Sequence, residues 1–223
     1  MQFSYVPHMR RGFPGLVSAA FIFEGVTPTV DVSAPVAQFH EKAAARLASG
    51  TESDLASIQA WRRAFSSMGL KPTQYRCAAE ALLRRFRKEQ ALPGLHPLID
   101  VCNALSLACA IPIAVFDLGR IVGDLQVRPA VGDETYETFR GDIEYPEPGE
   151  IIFADAAGQA HARRWTNRQS GRSTIRLDTT RALIVAEALH ATAAADVASL
   201  GEALQTTLSE LWPNAVVRKV AVQ

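Results

Sequence analysis

The residues best suited to chemistry are six arginines between positions 163 and 181, called here the arginine segment. One acid, Asp178, and one tryptophan, Trp165, lie among Arg163, Arg164, Arg168, Arg172, Arg176 and Arg181. A guanidinium binds phosphate through two parallel hydrogen bonds, and an indole ring offers a face on which a base can stack. The arginine segment is therefore the strongest candidate in the sequence for contact with nucleic acid.

An acidic segment between positions 133 and 155 offers a second interpretation. Arg140 is its only basic residue, and its carboxylates are Asp133, Glu134, Glu137, Asp142, Glu144, Glu147, Glu150 and Asp155. These groups can pair with the arginines on a solvated surface, where ion pairs contribute little to stability. The residues alone favour this paired surface over an RNA-binding one, and both stay open at this point.

Other polar candidates stand where predicted elements end. Asp100 and Asn103 are three residues apart on a predicted helix and share a face, so they either anchor a loop or contact a ligand. Asp117 follows an apolar run and either fixes the next turn or activates a water molecule. For all three residues the structural role is the expected one.

Composition excludes several classes of protein. The chain has 223 residues, with 23 Lys and Arg balanced by 23 Asp and Glu, which argues against a protein that coats nucleic acid with a uniformly basic surface. Three cysteines without a C-x-x-C motif support neither a disulfide framework nor a zinc site. No apolar run approaches the roughly 18 residues that span a bilayer, and the start lacks a signal-peptide pattern. We expect a cytoplasmic protein with no metal, cofactor or membrane partner.

Hydrophobic patterning predicts the elements that must position these residues. The first half reads as a buried strand followed by helices: a strand from Val17 to Gly25, a helical hairpin over 34–48 and 52–68, a helix from Pro72 through Phe86, and a helix over 97–110. The second half contains short strand-like runs at 113–116, 121–122, 125–127, 151–153 and 159–161. Residues 182–186 form either a strand or the opening of a helix, and a helix over 196–211 precedes a terminal strand over 215–222.

Together these elements predict an α+β fold in one domain, 1–223. We expect a mixed or antiparallel sheet curled into a sandwich or barrel-like core. Helices from the N-terminal half and one C-terminal helix flank this core.

Four ordered segments carry a resemblance to a known family. They are L-H-P-L-I-D-V-C-N from Leu95 with I-P-I-A-V-F-D-L from Ile111, then G-D-L-Q-V-R from Gly123, E-I-I-F-A-D from Glu150, and D-T-T from Asp178. They resemble the tRNA-editing module formed by the third and fourth structural domains of the phenylalanyl-tRNA synthetase β subunit. The resemblance covers about 75–188 and leaves 1–70 and 190–223 as extra elements expected to pack on the module.

Two further segments, from Tyr75 to Leu83 and from Arg164 to Ser170, look more like free-standing relatives of this module. The resemblance implies hydrolysis in trans of the ester that joins a mischarged amino acid to tRNA, and no tRNA ligase activity. Such an ester is already activated, so a pocket that positions water and binds the carbonyl can supply most of the acceleration. The resemblance implies a tRNA acceptor end or an aminoacyl-tRNA as partner, and no DNA. The binding candidates are Arg76, Asp100, Asn103, Asp117, Arg163, Arg164, Trp165, Arg168, Gln169 and Ser170, and no catalytic residue is identified.

The chain departs from the family pattern at two places. Ala114 stands where the family usually has a histidine before A-F-D, and residues 168–172 contain no acid where the synthetase uses a glutamate to recognise the hydroxyl of tyrosine. A buried partner for a hydroxyl discriminates by roughly 10⁴ to 10⁵. The resemblance therefore does not imply tyrosine specificity for this chain, unless Gln169 or Ser170 serves as a neutral hydrogen-bonding partner. The alternatives are a non-catalytic module that binds RNA or an amino-acid-like ligand, and a hydrolase of an unrelated small ester or amide.

Overall fold

The structure, a computed structural model, describes all residues from Met1 to Gln223. Its six helices are α1 (Pro7–Gly12), α2 (Ser33–Leu47), α3 (Ala56–Ser67), α4 (Ala78–Glu89), α5 (Pro97–Cys109) and α6 (Ala193–Leu211). Its strands are β1 (Phe3–Tyr5), β2 (Val17–Glu24), β3 (Ile113–Asp117), β4 (Leu125–Pro129), β5 (Tyr136–Glu137), β6 (Ile143–Glu144), β7 (Ile151–Asp155), β8 (Ala160–Arg163), β9 (Arg168–Gln169), β10 (Arg181–Ala188) and β11 (Val216–Val220). No helix combines the length and the apolar character that a membrane crossing requires.

The strands form two open sheets and a small hairpin. One sheet is antiparallel with the order β11-β2-β10-β3, and the other has the order β1-β4-β7-β8-β9 with β1 parallel to β4. Strands β5 and β6 pair only with each other. The predicted α+β fold with a mixed, sandwich-like core is confirmed, and neither sheet closes into a barrel.

The two central strands of the four-stranded sheet, β2 and β10, are buried on both faces. On β10, Leu183 and Val185 pack in the cluster shared with the five-stranded sheet, whereas Ala182 and Ile184 pack with α5 and α6. Side chains alternate between the two faces of a strand, so each face supplies one of the two hydrophobic clusters. A strand that is buried on both faces has a continuous apolar sequence without alternation. Hydrophobic periodicity therefore could not distinguish a strand from a helix at residues 182–186.

Most predicted elements are present, two predictions are wrong, and a third is correct only in part. The helix expected to begin at Pro72 begins at Ala78 instead, because the chain first makes a turn closed on the Lys71 carbonyl and then extends through Cys77. Residues 121–122 are not a strand, since they lie in the loop between β3 and β4, where the Val122 N–H donates to the Asp155 carboxylate. The helix predicted over 52–68 is divided by extended backbone at Leu55 into a short 3₁₀ turn and α3.

Candidate functional site

A small cavity lies where β3 and β10 of one sheet face β7 and β8 of the other. Its volume is about 50 Å³. Small side chains from three elements leave this space open, and the arginine segment forms much of its rim. The lining residues are Ala78, Pro112, Ile113, Ala114, Phe153, Ala162, Trp165, Thr166, Asn167, Arg168, Gln169 and Glu187.

Glu187 is the only acidic residue that lines this cavity. It is 1% exposed, and it lies on the same face of β10 as Leu183 and Val185. Its Oε1 accepts hydrogen bonds from the Tyr5 hydroxyl and from the Trp165 Nε1–H, both at 2.7 Å. Burial raises the pKa of Glu187 to about 7, although the two hydrogen bonds act to lower it. The cavity therefore contains a carboxyl group that titrates near neutral pH.

A tight turn between β8 and β9 brings Trp165 to this carboxyl group. Arg164 and Trp165 have φ angles of 47° and 58°, a left-handed conformation that is uncommon for residues other than glycine. The Trp165 N–H donates to the Ile151 carbonyl at 2.7 Å, and its ring meets Phe13 and Trp61 edge-on. Backbone and ring contacts together hold the turn, so the indole N–H stays directed at Glu187.

Two of the candidate residues do not have the roles that the sequence suggested. Trp165 is fully buried, so its ring cannot stack on a base and instead forms a wall of the cavity. Arg163 is 5% exposed and bonded to two carboxylates of the acidic segment, Glu144 and Glu150, at 2.7 to 2.8 Å. A guanidinium held in this way is not available to phosphate.

One arginine, Arg168, lines the cavity, and Arg164 and Arg76 lie next to residues that line it. Arg168 bonds Glu144 at 2.9 Å, yet its side chain is 41% exposed. Arg164 is half-buried with its guanidinium 4.7 Å from the centre of the Tyr75 ring. Arg76 donates to the Thr73 carbonyl, and its own carbonyl accepts a hydrogen bond from Asn167, a lining residue. The structure thus brings Arg76, Arg164, Trp165, Arg168 and Gln169 together around one cavity.

Gln169 and Ser170 connect the cavity to its surroundings. The Gln169 amide donates to the Val115 carbonyl at 2.6 Å, which ties β9 to β3. Ser170 is fully buried, and its hydroxyl donates to the Glu137 carbonyl at 2.8 Å in the β5–β6 hairpin. Ser170 therefore holds the hairpin in place and does not line the cavity.

The other three candidates lie elsewhere, and two of them, Asp100 and Asp117, make loop-anchoring contacts. Asp100 and Asn103 line a separate cavity of about 340 Å³ near the starts of α2 and α5, where Asp100 accepts from the Leu95 N–H at 2.9 Å. The Asp117 carboxylate accepts from the Gly119 N–H and from the Thr179 hydroxyl, both at 2.8 Å. Asp117 therefore fixes the turn that follows β3.

Glu187 is the residue that sequence reasoning missed. Its signal was an acid inside the otherwise apolar run A-L-I-V-A-E-A over 182–188. If this run is a strand, Glu187 lies on the same face as Leu183 and Val185 and is buried with them. A buried acid needs hydrogen-bond donors. The donors, Tyr5 and Trp165, are 182 and 22 residues away in sequence.

The site contains neither a serine nor a cysteine among its lining residues, and no group of three or more His, Cys, Asp and Glu in the protein could hold a metal ion. What it offers is a carboxyl group that titrates near neutrality, polar side chains at the rim and apolar walls. Such a site can bind a small polar group and hold a water molecule beside it.

These features define a two-sheet α+β domain with a small ligand cavity where the two sheets meet. The B3/4 domain family model matches residues 60–210, two thirds of the chain, so the protein belongs to the B3/4 domain family. The match is wider than the 75–188 expected from sequence. The resemblance to the B3/B4 module is confirmed.

A solved structure shows the same fold. It is an N-terminal fragment of the phenylalanyl-tRNA synthetase β subunit from Pyrococcus horikoshii, with a TM-score of 0.55 and 11% sequence identity. The likeness covers all of this chain and 51% of that one, so this chain spans about half the length of the fragment. A search among curated proteins found no match.

The raised pKa of Glu187 predicts a pH-dependent stability. The carboxyl has an ordinary pKa of 4.5 when unfolded and about 7 when folded, so the folded state binds more protons between these values. The stabilisation is complete below about pH 4.5 and is lost as pH rises through 7, by about 3 kcal/mol in all. We expect the free energy of unfolding of the wild type to fall by this amount relative to Glu187→Gln between pH 4.5 and 8.5, measured by urea denaturation. Glu202→Gln, at an exposed residue of α6, is the control, and parallel pH curves for wild type and Glu187→Gln would contradict the account.

The contact of Gly171 with the β5–β6 hairpin gives a second prediction. A Cβ at Gly171 would lie 2.6 Å from the Thr138 carbonyl oxygen and 3.0 Å from the Phe139 Cα. Both are backbone atoms, which cannot rotate out of the way as the end of a side chain can. We expect Gly171→Ala to lower the free energy of unfolding by roughly 1 to 3 kcal/mol. Gly12→Ala, where a Cβ meets nothing within 4 Å, should change it little. Equal effects of the two substitutions in thermal melts would show that this contact does not matter.

Proposed function

We propose that this protein binds the aminoacylated 3′ end of tRNA and hydrolyses the aminoacyl ester in trans, as a free-standing editing protein. The observation that carries the proposal is the position of the cavity. All of its lining residues lie within the matched region 60–210, and it opens beside the arginine segment at Arg168. A cavity placed apart from these arginines would have argued against acceptor-end binding.

The chemistry of the cavity suits this substrate. An aminoacyl ester needs no strong nucleophile, because positioning the ester and a water molecule supplies much of the acceleration. The apolar walls from Phe153 and Ala162 exclude bulk water, and the polar rim can orient the ester. Arg164 and Arg168 place positive charge at the rim, where the phosphates of the terminal nucleotides would lie.

The proposal treats residues 1–223 as one domain. Phe3 from the start of the chain and Leu183 from the matched region belong to the same hydrophobic cluster, and Val220 packs against it. The elements outside 60–210 therefore complete the core on which the cavity depends.

A non-catalytic binding module is the second candidate. It is favoured by the pairing of Arg163 and Arg168 with Glu144, which leaves fewer free cations for RNA than the sequence suggested. This candidate binds RNA or an amino-acid-like ligand in the same cavity without turnover.

The direct test is deacylation of tRNA charged with a panel of amino acids. We expect the protein to accelerate hydrolysis for at least one of them, followed as loss of acid-precipitable radiolabelled amino acid. Binding of RNA without turnover of any member of the panel would support the non-catalytic module instead. Absence of both would contradict the proposal.

The arginines at the rim give a matched pair of variants. Arg164→Ala combined with Arg168→Ala should weaken tRNA binding and reduce the slope of log affinity against log salt by about two, one for each phosphate contact. Arg181→Ala is the control, because Arg181 bonds Glu24 at the opposite end of β10 from Glu187. An unchanged salt slope in the double variant, measured by filter binding, would show that these arginines do not contact tRNA.

A further inference from the structure

The cavity contains polar atoms whose hydrogen bonding is incomplete. Both hydrogen bonds to Glu187 end on Oε1, so neither donor engages Oε2. The Thr166 Oγ1 is buried and has no hydrogen-bond partner in the protein. Buried polar atoms are almost always paired, so a ligand or ordered water is expected at an unpaired one. The polar part of the ligand is therefore expected at Oε2 of Glu187, which neither donor engages.

The size of the cavity limits the apolar part of the ligand. A cavity of roughly 150 Å³ accommodates benzene. The volume here is about 50 Å³, and it is bounded by the large rings of Phe153 and Trp165. An aromatic side chain does not fit this space, whereas a methyl, hydroxymethyl or ammonium group does.

The charge around Glu187 identifies the missing partner. An ionised carboxylate in an apolar site needs a cation within contact distance. Arg10 is the cation whose charge lowers the pKa of Glu187, but the Arg10 guanidinium lies over the Tyr5 ring, 4.6 Å from its centre. Arg168, the cation that lines the cavity, is bonded to Glu144. A positively charged group of the ligand would therefore be the first cation in direct contact with Glu187.

We propose that Glu187 binds the α-ammonium group of an aminoacyl ester, and that the cavity accepts amino acids with small side chains such as alanine, glycine and serine. This inference rests on the proposed function and names its substrate class. Glu187 is then a substrate-binding residue, since the ammonium group is common to all amino acids. The selection among amino acids comes from the walls, because Phe153 and Trp165 leave no room for a ring.

Stable 3′-amide analogues of aminoacyl-adenosine test the inference without turnover. The three probes are the alanyl amide of 3′-amino-3′-deoxyadenosine, the propionyl amide, which lacks only the amino group, and the phenylalanyl amide. In isothermal titration calorimetry we expect the wild type to bind the alanyl amide at least tenfold more tightly than either of the others. Glu187→Gln should bind the alanyl and propionyl amides equally, while Glu202→Gln should behave as the wild type.

A second variant keeps the test decisive if Glu187→Gln does not fold. Ala114 is half-buried at the cavity wall, and Ala114→Leu should fill the space and abolish binding of the alanyl amide. Equal affinity of the wild type for the alanyl and propionyl amides, or binding of no analogue at all, would overturn the inference. If the protein deacylates tRNA but binds the alanyl and propionyl amides with equal affinity, the proposed function is supported and only the inference is contradicted. If the protein binds the alanyl amide more tightly but deacylates no tRNA, the binding role of Glu187 is supported and the proposed hydrolysis is contradicted.

Discussion

The buried carboxyl of Glu187 is the interaction on which the site depends, because three distant parts of the chain meet at it. Tyr5 reaches it from β1, Trp165 from the turn between β8 and β9, and Glu187 itself lies on the central strand of the other sheet. A buried polar group must be hydrogen-bonded, so this one carboxyl fixes how the two sheets approach each other at that end. The same requirement keeps the left-handed turn at Arg164 and Trp165 in place, and that turn carries the rim of the cavity.

Charge in this protein is balanced locally as well as in total. Glu144 of the β5–β6 hairpin bonds both Arg163 and Arg168, and Ser170 holds the same hairpin through the Glu137 carbonyl. Glu144 and Glu150 of the acidic segment therefore help to position Arg163 and Arg168 of the arginine segment. Only a small group of cations beside the cavity is available to bind phosphates. Such a group can contact the end of an RNA, but it is too small to bind along an RNA helix.

Sequence reasoning reached the fold class and the family through patterns that are local. Strand β2 and helix α5 follow directly from apolar runs and from proline at a helix start. It missed β1, α1, the hairpin strands and β9, since each is six residues or fewer, too short for a hydrophobic period to show, and β1 pairs with a strand more than 100 residues away. At the site it found Arg164, Arg168 and Gln169 but not Glu187. Whether an arginine is paired, a tryptophan exposed or an acid buried depends on long-range packing that spacing does not encode.

The most direct test of the account is a crystal structure of the protein with the alanyl amide of 3′-amino-3′-deoxyadenosine. The account predicts the ammonium nitrogen at roughly 2.7 to 3.2 Å from Glu187 Oε2, with the adenosine at the rim beside Arg168. An ammonium group that does not reach Glu187, or an analogue bound in the separate cavity beside Asp100 and Asn103, would contradict it.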